Sequence, residues 1–217
     1  MTPRPYSPVN RRRAVDAGRD RILDAALQLL QRDFAAFSLD AVARKAGITR
    51  MTVYNQFGSK AGLLEELFDQ LVTRGAFADM PAVFAEPDPG DALELFVEIL
   101  GRFYSENRSV LSRMRAAAGS DPDLDEAMRK RNERRRRGIE TLVQRLDPRQ
   151  RPSVPDGELV NTLDVLLSFN TFDSLAGPER TPSDVAQLVR RLVRGVLGGR
   201  NPGPLRTRPK ERGSRRK

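Results

Sequence analysis

Residues 38–57 run Ser-Leu-Asp-Ala-Val-Ala-Arg-Lys-Ala-Gly-Ile-Thr-Arg-Met-Thr-Val-Tyr-Asn-Gln-Phe. Ser38 is a good N-cap, because its hydroxyl accepts a backbone N–H that the first helical turn leaves without a partner. The run Leu39 to Ala46 then reads as a short helix, and Gly47 stops it. Thr49 caps a second run, Arg50 to Phe57. A short helix ended by Gly and followed at once by a capped helix is the helix-turn-helix arrangement. Val42, Ala43, Ala46 and Ile48 supply its buried side, and the small alanines permit close approach. Charge agrees with shape. From Ala41 to Leu64 the chain holds Arg44, Lys45, Arg50 and Lys60 and no acid, although 16–75 as a whole holds equal numbers of both signs. A surface cleared of carboxylates is what a phosphate backbone requires. An ordinary helical hairpin with a solvated basic face is the alternative.

The flanks repeat the helical period. Ile22, Leu23, Ala26, Leu27, Leu30 and Phe34 fall on one stripe before the motif. After it, Ser59 caps a fourth helix with Leu63, Leu64, Leu67, Phe68, Leu71 and Val72 on one face. Pro81, Pro87, Pro89 and Gly90, with Gly75 as a stop, interrupt the pattern and predict a domain boundary near 78–90. Beyond it, Asp91 opens a helix with Leu93, Phe96, Val97, Leu100, Phe103 and Tyr104, and a shorter segment holds Val110, Leu111 and Met114. Asp121-Pro122 begins a long helix that Asp147-Pro148 ends. One helix is expected over 156–176 and a last one over 183–197. No stretch alternates with the period of a strand. The expectation is an all-α chain of about nine helices.

The stretch from Leu27 to Leu71 resembles the DNA-binding domain of tetracycline-repressor-type (TetR family) regulators. The resemblance rests on Ser38, Val42-Ala43, Ala46-Gly47-Ile48-Thr49, Thr52-Val53-Tyr54, Phe57, Ser59-Lys60 and Leu63-Leu64. Met51 stands where that family usually has a small residue, and Ala61-Gly62 where it usually has Glu-Ala. The resemblance implies an N-terminal three-helix helix-turn-helix domain and a C-terminal helical domain for ligand binding and dimerisation. The organisation expected is a basic arm over 1–15, a DNA-binding domain over 16–77, a regulatory domain over 78–199 and a basic tail over 200–217. With it come a double-stranded operator, usually pseudo-palindromic, a homodimer, and release by a small molecule.

Chemistry and resemblance agree on the roles. Ser38 and Thr49, at helix N-termini, are placed to hold phosphate oxygens, as are Tyr54 and Lys60. Arg50 suits guanine, Asn55 adenine, and Met51 a thymine methyl group, while Thr52 projects with them. Thr52 and the Tyr54 ring are alternatively packing residues. Arg11-Arg12-Arg13 is either an arm for a minor groove or merely solvated.

Composition sets the outer limits. The chain has 217 residues, 39% hydrophobic and 31% charged, with net charge +9, no Cys and no His. That removes disulfides, thiolate and imidazole metal sites, cysteine nucleophiles and histidine bases. No metal and no cofactor is expected. The first fifteen residues carry four arginines and no acid, and 200–217 carry eight bases against the single Glu211, leaving the body slightly acidic. Both ends are expected to be disordered, serving solubility or attraction to a polyanion. Met1 to Arg13 hold no apolar core segment, so no secretory signal is expected, and the longest uncharged run, 51–59, is too short for a bilayer. A cytoplasmic, nucleoid-associated protein with no membrane contact is expected.

Two further sets of residues are candidates. Phe96, Phe103, Tyr104, Met114, Met128, Phe169, Asn170 and Phe172 could enclose an apolar effector cavity, or simply form core. With few buried charges beyond Asp173, an uncharged or cationic apolar ligand is expected. The stripes on 156–176 and 183–197, including Leu163, Leu167, Leu188 and Leu192, are expected to pair across a two-fold as a four-helix interface. Arg134 to Arg137, four charges in a row, read as solvated surface, or else as an interdomain or DNA-proximal group. Asp121-Pro-Asp123-Leu-Asp125 imitates a calcium loop but is a helix start, and Gly195 to Gly199 ends a helix. A regulator of this fold without an inducer, switched by a protein partner or constitutive, is the alternative. A helical enzyme is the remaining one, although no pairing of acids, bases or hydroxyls suggests a catalytic site.

Overall fold

The computed structural model describes residues 8–32, 36–73, 76–147, 152–177 and 179–198. Among them the chain forms eleven α-helices and one 3-10 turn, with no strand. The all-α expectation holds, with two helices more than the sequence suggested. The first extra is α5, considered below, and the second comes from a break in the helix expected over 156–176.

The N-terminal unit is α1 (Pro8–Arg32), α2 (Leu39–Ala46), α3 (Arg50–Phe57) and α4 (Lys60–Thr73). Residues 8–15, expected to be structureless, are helical backbone. Proline is suited to a first helical position, and the arginines and alanine after it are good helix formers, so the backbone continues into α1. Residues 1–7 and the tail 200–217 lie outside the described residues, as do Phe34, Gly75 and Pro148. In the motif, Ser38 accepts from Ala41 N at 3.1 Å and Thr49 from Thr52 N at 3.2 Å. Gly47 takes φ +69°, a left-handed turn that a side chain would strain. The helices of the motif therefore begin and end where the caps predict.

The Pro-rich stretch expected as a boundary is itself folded. A 3-10 turn (Ala76–Asp79) leads into α5 (Met80–Ala85), with Pro81 in its first turn. The next helix, α6 (Pro89–Glu106), starts earlier than expected because Asp88, not Asp91, is its cap, accepting from Gly90 N and Asp91 N at 2.7 and 3.0 Å. Then come α7 (Arg108–Ala118) and α8 (Pro122–Arg145), the latter capped by Asp121. The helix expected over 156–176 divides into α9 (Asp156–Leu166) and α10 (Phe169–Ala176), because Ser168 leaves helical geometry and caps the second piece at Thr171 N. The last helix, α11 (Pro182–Val196), opens with a capping box of Thr181 and Asp184.

Helix α6 is central, packed by α5, α8, α10 and α11, and α8 lies against both α4 and α9. One apolar core runs from Ile22 on α1 through Phe68, Leu93, Phe103 and Leu142 to Val193 on α11. The N-terminal helices and the later ones thus share a core, and each large side chain buried in it stabilises by roughly 1.5–3 kcal/mol. Ionic contacts reinforce the seam. Glu65 and Asp69 on α4 pair with Lys130 and Arg134 on α8 at 2.7 and 3.1 Å. Arg113 on α7 donates to the last carbonyls of α1, Gln31 O and Arg32 O, as a cation at a helix C-terminus should. No helix among the described residues is long and apolar enough to cross a membrane.

Candidate nucleic-acid interface and effector cavity

Helix α3 has two faces of different character. Val53 and Phe57 are buried against the unit, whereas Met51 is 64% and Tyr54 54% exposed, with Arg50 and Asn55 also on the outside. An exposed methionine and tyrosine on a polar helix, beside arginine and asparagine, suit a base edge and a backbone better than water alone. Thr49 is exposed at the N-terminus of α3, and its hydroxyl lies 2.9 Å from that of Thr52, which is half-buried. Ser38 is half-buried with its oxygen committed to the cap of α2. Arg50 lies 3.5 Å from Asp40, an exposed and weak pairing that DNA can displace. Arg44 and Lys45 on α2 are exposed beside this surface.

Lys60, expected on a phosphate, points elsewhere. Its ammonium reaches Asp121 at the start of α8 and lies 5.7 Å from the centre of the Phe37 ring, in a largely buried position. The physical reason is proximity to a helix cap: Leu124 N donates to Asp121 at the start of α8, and the packing of α4 on α8 brings the Lys60 ammonium beside that carboxylate. This contact was invisible in sequence because its partners are sixty-one residues apart.

Gly62, in the Ala61-Gly62 pair that departs from the family pattern, has a steric role. A Cβ there would overlap the Phe57 carbonyl oxygen at the C-terminus of α3. The glycine thus lets the start of α4 pack closely on the end of α3.

The effector candidates divide. A cavity of about 230 Å³ lies between α4, α5, α6 and α8, walled by Val72, Phe77, Met80, Phe84, Phe96, Leu100, Tyr104 and Gly138, with Asp69, Arg131, Arg134 and Arg135 as its polar groups. Of the eight expected residues, Phe96 and Tyr104 line it. A second hollow of about 130 Å³ is bounded by Tyr104, Phe169 and Phe172 with Arg108, Asp173 and Arg180. Phe103 and Met114 are core, Met128 packs on the core, and Asn170 is exposed and accepts from Arg115 at 3.2 Å. Asp173 offers no charge to a cationic ligand, since Arg108 and Arg115 already bind it at 2.7 and 3.0 Å.

The arginine run is not a solvated surface throughout. Arg134 reaches Asp69, Arg135 pairs with Asp164 on α9 at 2.9 Å, Arg136 holds Glu140 one turn on, and only Arg137 is left to water in this group. Arg131, three residues before the run, lies 4.4 Å from the Phe103 ring centre, 5.0 Å from Phe68 and 6.0 Å from Phe77. Burial among these rings pulls its acidity constant down to about 10, which leaves it charged at neutral pH.

The expected dimer residues also divide. Leu163 and Leu167 are fully buried within the protomer, which makes them core and not interface. The stripe expectation misassigned them because a helix buried on one side by its own chain and on the other by a partner shows the same sequence pattern. Leu192 is 39% exposed and Leu188 half-buried on α11, whose other face (Val185, Val189, Val193) covers α6. Val165 on α9, at 65%, is the most exposed large hydrophobic side chain among the described residues.

Comparison with known proteins agrees with this geometry. Residues 22–67 match the family model described as bacterial regulatory proteins, tetR family. The chain is 36% identical over 110 residues to the HTH-type transcriptional regulator AlkX of Mycobacterium tuberculosis, covering 49% of this chain and 50% of that protein. It is 34% identical over 125 residues to EthR of Mycolicibacterium smegmatis, covering 55% and 58%. The matched stretches thus span about half the length of these curated relatives. Among solved structures, NalD of Pseudomonas aeruginosa superposes with a TM-score of 0.64 at 24% identity, over 83% of this chain and 96% of that one. A TetR transcription regulator of Haloarcula marismortui gives 0.62 at 18%, over 84% and 97%. Those likenesses extend the shared fold through the C-terminal helices. Residues 22–67 thus place the N-terminal unit with the tetR family of bacterial regulatory proteins, and the helices that follow share the fold of solved TetR regulators.

Proposed function

We propose that this protein is a homodimeric repressor of transcription that binds a pseudo-palindromic operator and leaves it when a small molecule fills the cavity beside α4. The observation that carries the reading is the outer face of α3, where Arg50, Met51, Tyr54 and Asn55 stand exposed together at a capped helix N-terminus. In this scheme Thr49 and Tyr54 hold phosphates and fix register, while Arg50, Met51 and Asn55 read base edges. That NalD is described as the secondary repressor of an efflux pump supports repression as the mode of control.

Dimerisation is supported by the exposed apolar residues Val165 and Leu192, with Leu166, Leu188 and Val196 half-buried beside them on α9 and α11. Two copies of a helix-turn-helix unit read half-sites about one helical turn apart, so the operator mirrors the two-fold of the protein. Release is supported by the position of α4. Asp69 and Val72 line the cavity at one end of this helix, and Gly62 packs under α3 at the other. A ligand that displaces α4 therefore re-aims the reading helix. Footprinting of DNA next to the protein's own gene should reveal two symmetric protected half-sites. Protection of a single half-site by a monomer, or binding that is equally tight on random DNA, overturns the proposal.

A further inference from the structure

The charges around the cavity do not cancel. Its lining holds three guanidinium groups and one carboxylate. Arg134 is taken by Asp69 and Arg135 by Asp164. Arg131 has no hydrogen bond or ion pair among the described residues, and its guanidinium lies over the rings of Phe103, Phe68 and Phe77. Aromatic faces hold a cation by its flat side but accept none of its five N–H donors. A charge partly withdrawn from water with no carboxylate in contact is costly, and desolvation has weakened this guanidinium's hold on its proton despite a minor attraction from Asp69. One positive charge is left over, at the edge of an apolar chamber.

Resting on the reading of this cavity as the effector site, we propose that its ligand is an amphipathic monocarboxylate, with the carboxylate forked onto Arg131 and an apolar body against Phe77, Met80, Phe84, Phe96 and Leu100. The planar guanidinium fork matches a carboxylate's two oxygens. A single surplus charge suits a monoanion better than a phosphate dianion. Arg134 and Arg135 disfavour a cation, which reverses the sequence-based expectation of an uncharged or cationic ligand. Size follows from volume. A 150 Å³ cavity holds benzene, so about 230 Å³ admits a ligand of roughly ten heavy atoms.

The test uses the full chain and four probes by calorimetry: octanoate, 3-phenylpropanoate, octanamide and octylamine. The expected result is that an acid binds on the order of tenfold or more tighter than octanamide, with octylamine weakest, as a charge-assisted pair predicts. The two acids distinguish an aliphatic from an aromatic body. Arg131→Met should abolish the preference of acid over amide, octanoate losing on the order of tenfold more affinity than octanamide. Equal affinity for octanoate and octanamide in the unaltered protein overturns the proposal, a comparison that needs no variant to fold. So does the absence of binding by both acids, or full octanoate affinity in Arg131→Met. If an acid binds through Arg131 yet leaves operator affinity unchanged, the carboxylate site stands and the effector reading falls.

Discussion

Lys60→Ala, Asp121→Ala and the double variant decide whether Lys60 serves DNA or the joint between α4 and α8. The two side chains are 20% and 17% exposed, which places their pairing between a surface salt bridge, worth about 0–1 kcal/mol, and a buried one, whose disruption costs about 3–5. A coupling of about 1.5 kcal/mol is expected. Asp121 also caps α8 through Leu124 N at 3.2 Å, and loss of a cap adds about 1 kcal/mol. Lys60→Ala should therefore cost about 1.5 kcal/mol, Asp121→Ala about 2.5, and the double variant scarcely more than Asp121→Ala alone. Urea unfolding measures each, and a chain of this size should lose about 3–6 °C in Tm for Lys60→Ala. In parallel, the slope of operator affinity against salt should be unchanged in Lys60→Ala. Additive stability losses within about 0.3 kcal/mol, together with a slope lowered by about one unit, would put Lys60 on a phosphate and refute the reasoning.

Gly62→Ala should destabilise the chain by about 1–3 kcal/mol despite alanine's better helix propensity, because the new methyl group meets a backbone carbonyl; a gain in Tm would mean that α3 and α4 separate freely. Leu188→Glu with Leu192→Glu should leave a folded monomer in sedimentation with weakened operator binding, since neither residue is fully buried in the protomer; an unchanged dimer moves the interface elsewhere. Arg50→Ala should cost roughly 1–3 kcal/mol on the operator and relax preference at one base pair; equal losses on random DNA assign it to phosphate. Arg131→Met should raise Tm in the absence of ligand. The lowering of its acidity constant to about 10 by desolvation corresponds to roughly 3 kcal/mol, against about 1–2 recovered from the rings. A marked loss of stability would show that the rings more than repay the burial.

The helix-turn-helix was legible in sequence because everything that defines it is local. Ser38, Gly47 and Thr49 set the ends of α2 and α3 by hydrogen bonds and a left-handed turn within four residues of themselves, and the period of Val42, Val53 and Phe57 chose the inner face. The outward set Arg50, Met51, Tyr54 and Asn55 followed from the same period. Tertiary structure decided whatever depended on partners distant in the chain. Periodicity says that Leu163 and Leu167 are buried but not by which chain, and Ser168 broke their helix at a cap that competed with a continuous apolar run. Lys60 met Asp121, and the Arg134–Arg135 pair met Asp69 and Asp164, through contacts that only the packing of α4, α8 and α9 creates. The character of the cavity was the last of these. Arg131 looks like one more surface cation in a basic helix, and only the convergence of Phe68, Phe77 and Phe103 around it makes it a half-buried charge beside the cavity with no ion pair among the described residues.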